Sequence, residues 1–164
     1  MLPLSPEDLH KVTAQVGFAL WQIQVLELAV GGYLVRVHKI TPAVAKAQAQ
    51  AMFARAGKST LGQLLRELNA TGNAPQHLTE ALDRFVPKRN WLVHHSRHET
   101  HKEMYSAGGR ASLVARIDAI ADEALVLMKA FDAATEEHLI TLGFSKEQIE
   151  NGAKKLLREW FEGA

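Results

Sequence analysis

Apolar residues along this chain recur every three or four positions, and no segment alternates as a strand does between hairpin signals. Leu9, Val12, Val16, Leu20, Ile23, Val30 and Leu34 mark one face of a first helix. Ser5 caps it, Pro6 suits its first position, and Asp8 stands where a capping box wants an acid. The pattern carries this helix to about Ile40, with Gly31-Gly32 inside it, a pair that permits a bend or the close crossing of a neighbour. Thr41-Pro42 reads as cap and first residue of an Ala-rich helix that ends near Ala56, with Gly57 at its C-terminal cap. Ser59-Thr60 opens a short helix whose apolar face is Leu61, Leu64, Leu65 and Leu68. The run from Thr71 to Pro75 is a loop. A helical pattern then extends from Gln76 to about Tyr105, and Pro87 within it should kink or split the helix. Ser106-Ala107-Gly108-Gly109 reads as a turn. Leu113, Ile117, Ile120, Leu127, Met128 and Phe131 mark a long helix ending near Leu142-Gly143. Ser145 and Gln148 form a capping box for a last helix bearing Ile149, Leu156, Leu157 and Trp160. The expected fold class is therefore all-α: a single domain over residues 1–164, a bundle of about five to six helices with long first and penultimate members.

Composition narrows the picture in three ways. A chain of 164 residues that is 47% hydrophobic and 23% charged can bury its own core. Nineteen basic against eighteen acidic residues leave a net charge of +1, so any nucleic-acid contact must be local. The absence of cysteine excludes disulfides, thiolate chemistry and Cys-based zinc sites, and fits a cytoplasmic location. The first residues lack the basic region of a signal peptide. Val16 to Val37 approaches the length of a membrane span, but Gln22, Gln24, Glu27 and Arg36 interrupt it, which favours a buried helix and no membrane.

Chemistry concentrates in Arg89-Asn90-Trp91-Leu92-Val93-His94. On a wheel of about 100° per residue, Leu78, Ala81, Leu82, Phe85, Val86, Leu92 and Val93 form an apolar stripe, and Arg89 falls in its middle. A permanent charge there needs an acid from another helix, a cleft or a partner. Asn90, His94, Arg97 and His101 fall on one flank of the stripe; His95 falls roughly opposite, with Lys88 and Arg84. His moves protons near neutral pH, Arg clamps a phosphate and stabilises the charge developing on it, and Asn can orient a His or a phosphate oxygen. This set suits phosphodiester cleavage by the substrate's own 2′-hydroxyl without a metal. Trp21, Trp91 and Trp160 read as packing residues. His94, His98 and His101, at i, i+4 and i+7, are a rival metal-ligand spacing, with two of them plus an outside carboxylate the more plausible set. No Walker A motif, dinucleotide fingerprint or nucleophile elbow is present, and no cofactor is expected.

Arg89-Asn90-x-x-x-His94 resembles the signature of the HEPN superfamily: an Arg, a polar residue after it, and a His separated from the Arg by four to six residues. These are all-helical domains that usually dimerise, many of them toxin or antiviral ribonucleases and others non-catalytic. The resemblance implies a homodimer in which Arg89, Asn90 and His94 face their counterparts across a two-fold axis, with Arg89 stabilising the transition state, Asn90 orienting His94 or the phosphate and His94 acting as general base or acid. Lys88 and Arg97 would help hold the RNA backbone. The alternative is a non-catalytic module that binds a nucleotide or a protein partner, such as a nucleotidyltransferase antitoxin. The spacing accepts His94 or His95, and the wheel favours His94.

Overall fold

A computed structural model describes residues 5–162, with side chains described through 155 and at 158. The chain is all-helical, with no strand among the described residues. Helix α1 spans Pro6–Tyr33 and continues through a π-helical turn, Leu34–Lys39. Then come α2 (Lys46–Ala56), α3 (Leu61–Thr71) and α4 (Gln76–Asn90). A second π-helical turn, Trp91–His95, leads into the single-turn α5 (Ser96–Glu99) and a 3-10 turn (Glu103–Tyr105). Helices α6 (Ala107–Thr141) and α7 (Lys146–Glu162) complete the chain.

The caps arise from the residues themselves. The Ser5 hydroxyl accepts from the Asp8 N–H at 3.1 Å. Thr60 and Gln63 form a reciprocal capping box at α3, and Ser145 and Gln148 do the same at α7. Gly72 ends α3 with φ of 69°, a left-handed conformation that suits glycine.

Four boundaries differ from the sequence pattern. Thr41-Pro42 does not open α2: the Val44 N–H bonds back to the Thr41 carbonyl, forming a turn, and α2 starts at Lys46. Pro87 does not split its helix. It lies on the exposed side, where the loss of one ladder bond leaves the rest intact, and the irregularity comes one turn later at Trp91–His95. The α-helix stops at Glu99, and Tyr105 is reached only through a separate 3-10 turn. Ser106 is not part of a free turn but the N-cap of α6, which takes in Gly108 and Gly109; Gly109 lies so close to the Glu103 backbone that a side chain would collide.

Helices α1 and α6 make the most extensive pairing and run in the same direction. Asp8 pairs with Arg110 at 3.0 Å, Gln15 bonds Asp118, and the Tyr33 ring meets Phe131 edge-on at 5.4 Å. Helix α4 runs antiparallel to both, with Lys88 bonded to Glu123 at 2.6 Å and Arg89 facing Glu27. One continuous core fills the space between them, built from Ile23, Leu26 and Val30 of α1, Leu61, Leu64 and Leu68 of α3, Leu82 and Phe85 of α4, and Ile117 and Phe131 of α6. Gly31 is a crossing point: a Cβ there would stand 3.2 Å from that of Ala56 on α2. The segment Pro6–Lys39 is long and apolar enough to cross a membrane, yet half of its most apolar window is buried inside this bundle.

Two tryptophans of the three can be placed. Trp91 is buried, as its packing role requires, but Trp21 is 68% exposed and lies outside the core. It shares the outer face of α1 with Phe18 and Leu28, both also exposed. The apolar spacing of the core continues around the helix, so α1 is apolar on two faces. The expected packing of Leu156, Leu157 and Trp160 lies outside the described residues.

The π-helical turn after α1 carries His38, whose ring meets Tyr33 edge-on at 5.4 Å and whose Nε2 is buried without a hydrogen-bond partner among the described residues. Burial first, and the neighbouring His138 second, push its pKa below the ordinary histidine value. Such a group binds its proton more readily in the unfolded chain. Stability should therefore be unaffected by His38 above about pH 6.5. It should fall as the pH drops from there through the depressed folded value. Urea titrations across that range should show the loss, and His38→Phe should reduce it. A pH dependence identical in the variant would remove His38 as the cause. Phe131→Ala should cost about 3–5 kcal/mol in the same assay, as expected for a fully buried aromatic.

Candidate functional site

Arg89 emerges from the last turn of α4 into the space between α1 and α3. Its Nη2 lies 3.4 Å from Oε1 of Glu27, and both side chains are largely covered, at 16% and 18% exposure. The same Glu27 oxygen accepts the N–H of Leu61 at 3.1 Å, at the start of α3, where free amides and the helix dipole favour a carboxylate. One carboxylate thus ties three helices together. The remaining guanidinium groups are less settled: Nη1 donates to Oδ1 of Asn90 at 3.3 Å, while Nε is buried without a partner among the described residues.

The π-helical turn then changes the register. The Ser96 N–H bonds the Trp91 carbonyl five residues back, so a wheel of constant 100° steps does not run unbroken from Asn90 to Arg97. Its inner side places Trp91 and Leu92 in the core. Trp91 donates its indole N–H to Glu99 at 2.7 Å, and the Arg116 guanidinium of α6 stacks 3.3 Å from the centre of its ring. The outer side presents His94 and His95, both exposed, with ring centres 6.3 Å apart.

His94, Arg97, His98 and His101 line an open basin of about 500 Å³, and no acidic side chain lines it with them. His95 is not part of that lining. Arg97 has no ion-pair partner among the described residues, and Glu99, the nearest acid in sequence, is engaged by Trp91. The His101 Nδ1 lies 2.8 Å from the His98 carbonyl, which fixes that nitrogen as the donor and leaves Nε2 outward. Because the helix ends at Glu99, His101 does not continue the i, i+4, i+7 array. Among the described residues no three His, Asp or Glu side chains converge as metal ligands would.

The predicted site residues therefore fall into three places. Arg89 and Asn90 touch each other; His94 and Arg97 share the basin; no hydrogen bond among the described residues joins the two pairs. Lys88 points the other way, onto α6, where Glu123 neutralises it. Sequence reasoning missed the partners Glu27, Glu99 and Arg116. For Glu27 there was a signal: a lone acid in the apolar face of α1 is the complement of a lone Arg in that of α4. Comparison with family models, with curated proteins and with solved structures found no match to this chain.

Removing the Glu27 carboxylate strands a mostly covered guanidinium and frees the Leu61 amide. Glu27→Ala should destabilise the fold by about 1–3 kcal/mol, measured by urea unfolding. Glu27→Ala combined with Arg89→Met should recover part of that loss. Equal stability of Glu27→Ala and the parent would show that the tie carries no weight.

Proposed function

We propose that this chain is an HEPN-like, metal-independent endoribonuclease that acts as a homodimer, of the kind that serves as a toxin or in phage defence. The observation that carries this reading is the basin at the end of α4, where His94 and Arg97 meet with no acid to repel a phosphate. In the reaction, His94 takes the proton of the 2′-hydroxyl, and that oxygen attacks the adjacent phosphorus. The P–O5′ bond breaks, and a histidine, that of the same subunit or the one across the two-fold axis, protonates the leaving oxygen. Arg89 stabilises the charge on the pentavalent phosphorus, Asn90 holds the Arg89 guanidinium in place, and Arg97 binds the flanking phosphate. The exposed face of α1, with Phe18, Trp21 and Leu28, supports a second subunit against the bundle, because an apolar stripe of this size is otherwise left in water.

One observation favours the non-catalytic alternative, a module that binds a nucleotide or a nucleotidyltransferase partner. Arg89 is held by Glu27, and a guanidinium satisfied by a carboxylate has less to give a phosphate.

Cleavage of RNA should persist in excess chelator. The products should carry 2′,3′-cyclic phosphates and free 5′-hydroxyls. His94→Ala should reduce the rate about 10²- to 10⁴-fold, with helicity retained, and His95→Ala should cost little. Products with 5′-phosphates, or undiminished cleavage by His94→Ala, would overturn the mechanism. Light scattering should give a dimer at micromolar concentration and a monomer for Trp21→Glu; a monomeric parent would remove the two-fold site.

A further inference from the structure

A second pocket adjoins the basin. It is about 310 Å³, at the lower end of the range for small-ligand sites, and is walled by Leu9, Val12 and Val16 of α1, Met104, and Leu113 and Ile117 of α6. Arg97 lines both cavities. The pocket's three hydroxyls are already committed as donors to their own helices: Thr13 to the Leu9 and His10 carbonyls, Ser96 to Leu92, and Thr100 to Ser96. What remains is an apolar slot that offers no free hydroxyl hydrogen, opening at a guanidinium without an ion-pair partner among the described residues, beside three imidazoles.

We propose that slot and basin together form a mononucleotide subsite, with the base in the slot and the phosphate on Arg97 and His98. The occupant needs two unlike ends at close range, an anion and a flat, weakly polar ring, because Arg97 stands at the boundary of both cavities. Charge complementarity selects the anion, since a guanidinium and three imidazoles line the basin and no acid does. The size of the slot selects one ring system over a long tail or a peptide segment. This deepens the proposed ribonuclease reading by seating the nucleotide next to the scissile bond, and it rests on that reading only for the identity of the polymer.

The test is calorimetric titration of the full chain with adenosine 5′-monophosphate, inorganic phosphate and hexyl phosphate. Adenosine monophosphate should bind more tightly than either of the others. Arg97→Ala should weaken adenosine monophosphate and inorganic phosphate alike, by about tenfold or more. Thr13→Trp, which fills the slot from an exposed position, should weaken the nucleotide by a similar factor and leave inorganic phosphate unchanged; circular dichroism checks that both variants fold. Hexyl phosphate binding as tightly as the nucleotide would overturn the slot's assignment to a base. The proposal is equally overturned if Thr13→Trp has no effect or if no anion gives saturable binding. Nucleotide binding by a chain that cuts no RNA would sustain the subsite and remove the catalytic reading, whereas RNA cleavage without nucleotide binding would remove the subsite alone.

Discussion

A guanidinium cannot lose its charge, so a fold that carries one on an inward face must supply an anion in the same place. Here Glu27 supplies it, and the architecture of this end of the bundle depends on that requirement. Because Glu27 sits on α1 and also receives the first amide of α3, the position of Arg89 fixes how α4 lies against both. The antiparallel course of α4 in turn sets where the next segments lie. Ser96, Arg97 and Thr100 then fall beside the first turns of α1. The candidate chemistry therefore hangs from a structural ion pair, and Arg89 belongs to both. A residue with two such duties is hard to assign by substitution, since its loss disturbs the frame and the chemistry together.

Legibility from the sequence is uneven for physical reasons. The helices, their caps and the core positions are readable, because helical periodicity and side-chain capping are local: Ser5, Thr60 with Gln63, and Ser145 with Gln148 bond within one turn. The shift at Trp91–His95 is not readable. A π-helical turn depends on which side chains the rest of the fold draws inward, here Trp91 toward Arg116 and Glu99, and nothing in the local pattern marks it. Pro87 invites the expectation of a break because its chemistry is conspicuous, yet an exposed proline is tolerated. Trp21 defeats the pattern for a related reason: periodicity reports that a face is apolar, not that anything in the same chain covers it. For the site, the grouping of His94 with Arg97 is legible, whereas the division of Arg89 and Asn90 from them is not, because it arises from Glu27, sixty-two positions away.

The basic basin owes its character as much to where the acids are held as to the residues that line it. Glu99, although exposed, is bonded to an indole, while Glu27 and Glu123 are each paired with a cation of their own, Arg89 and Lys88. A chain with almost no net charge thus leaves one guanidinium, that of Arg97, without an ion-pair partner among the described residues and beside three imidazoles, which bulk composition does not report.

The π-helical turn at Trp91–His95 also has a meaning for how this chain tolerates change in length. Such a turn holds one residue more than a regular helical turn does. Deleting a single residue there would let the ladder close as ordinary helix, because the Ser96 N–H bond to the Trp91 carbonyl would then span four residues, and what lies beyond would keep its place. A deletion in the regular helix of α4 has no such outlet: it would rotate Ser96, Arg97 and Thr100 by about 100° away from α1 and take both cavities apart. Most surface loops of a small bundle absorb insertions and deletions freely; this short stretch of helix shares that tolerance for the loss of one residue, which the regular helix before it does not.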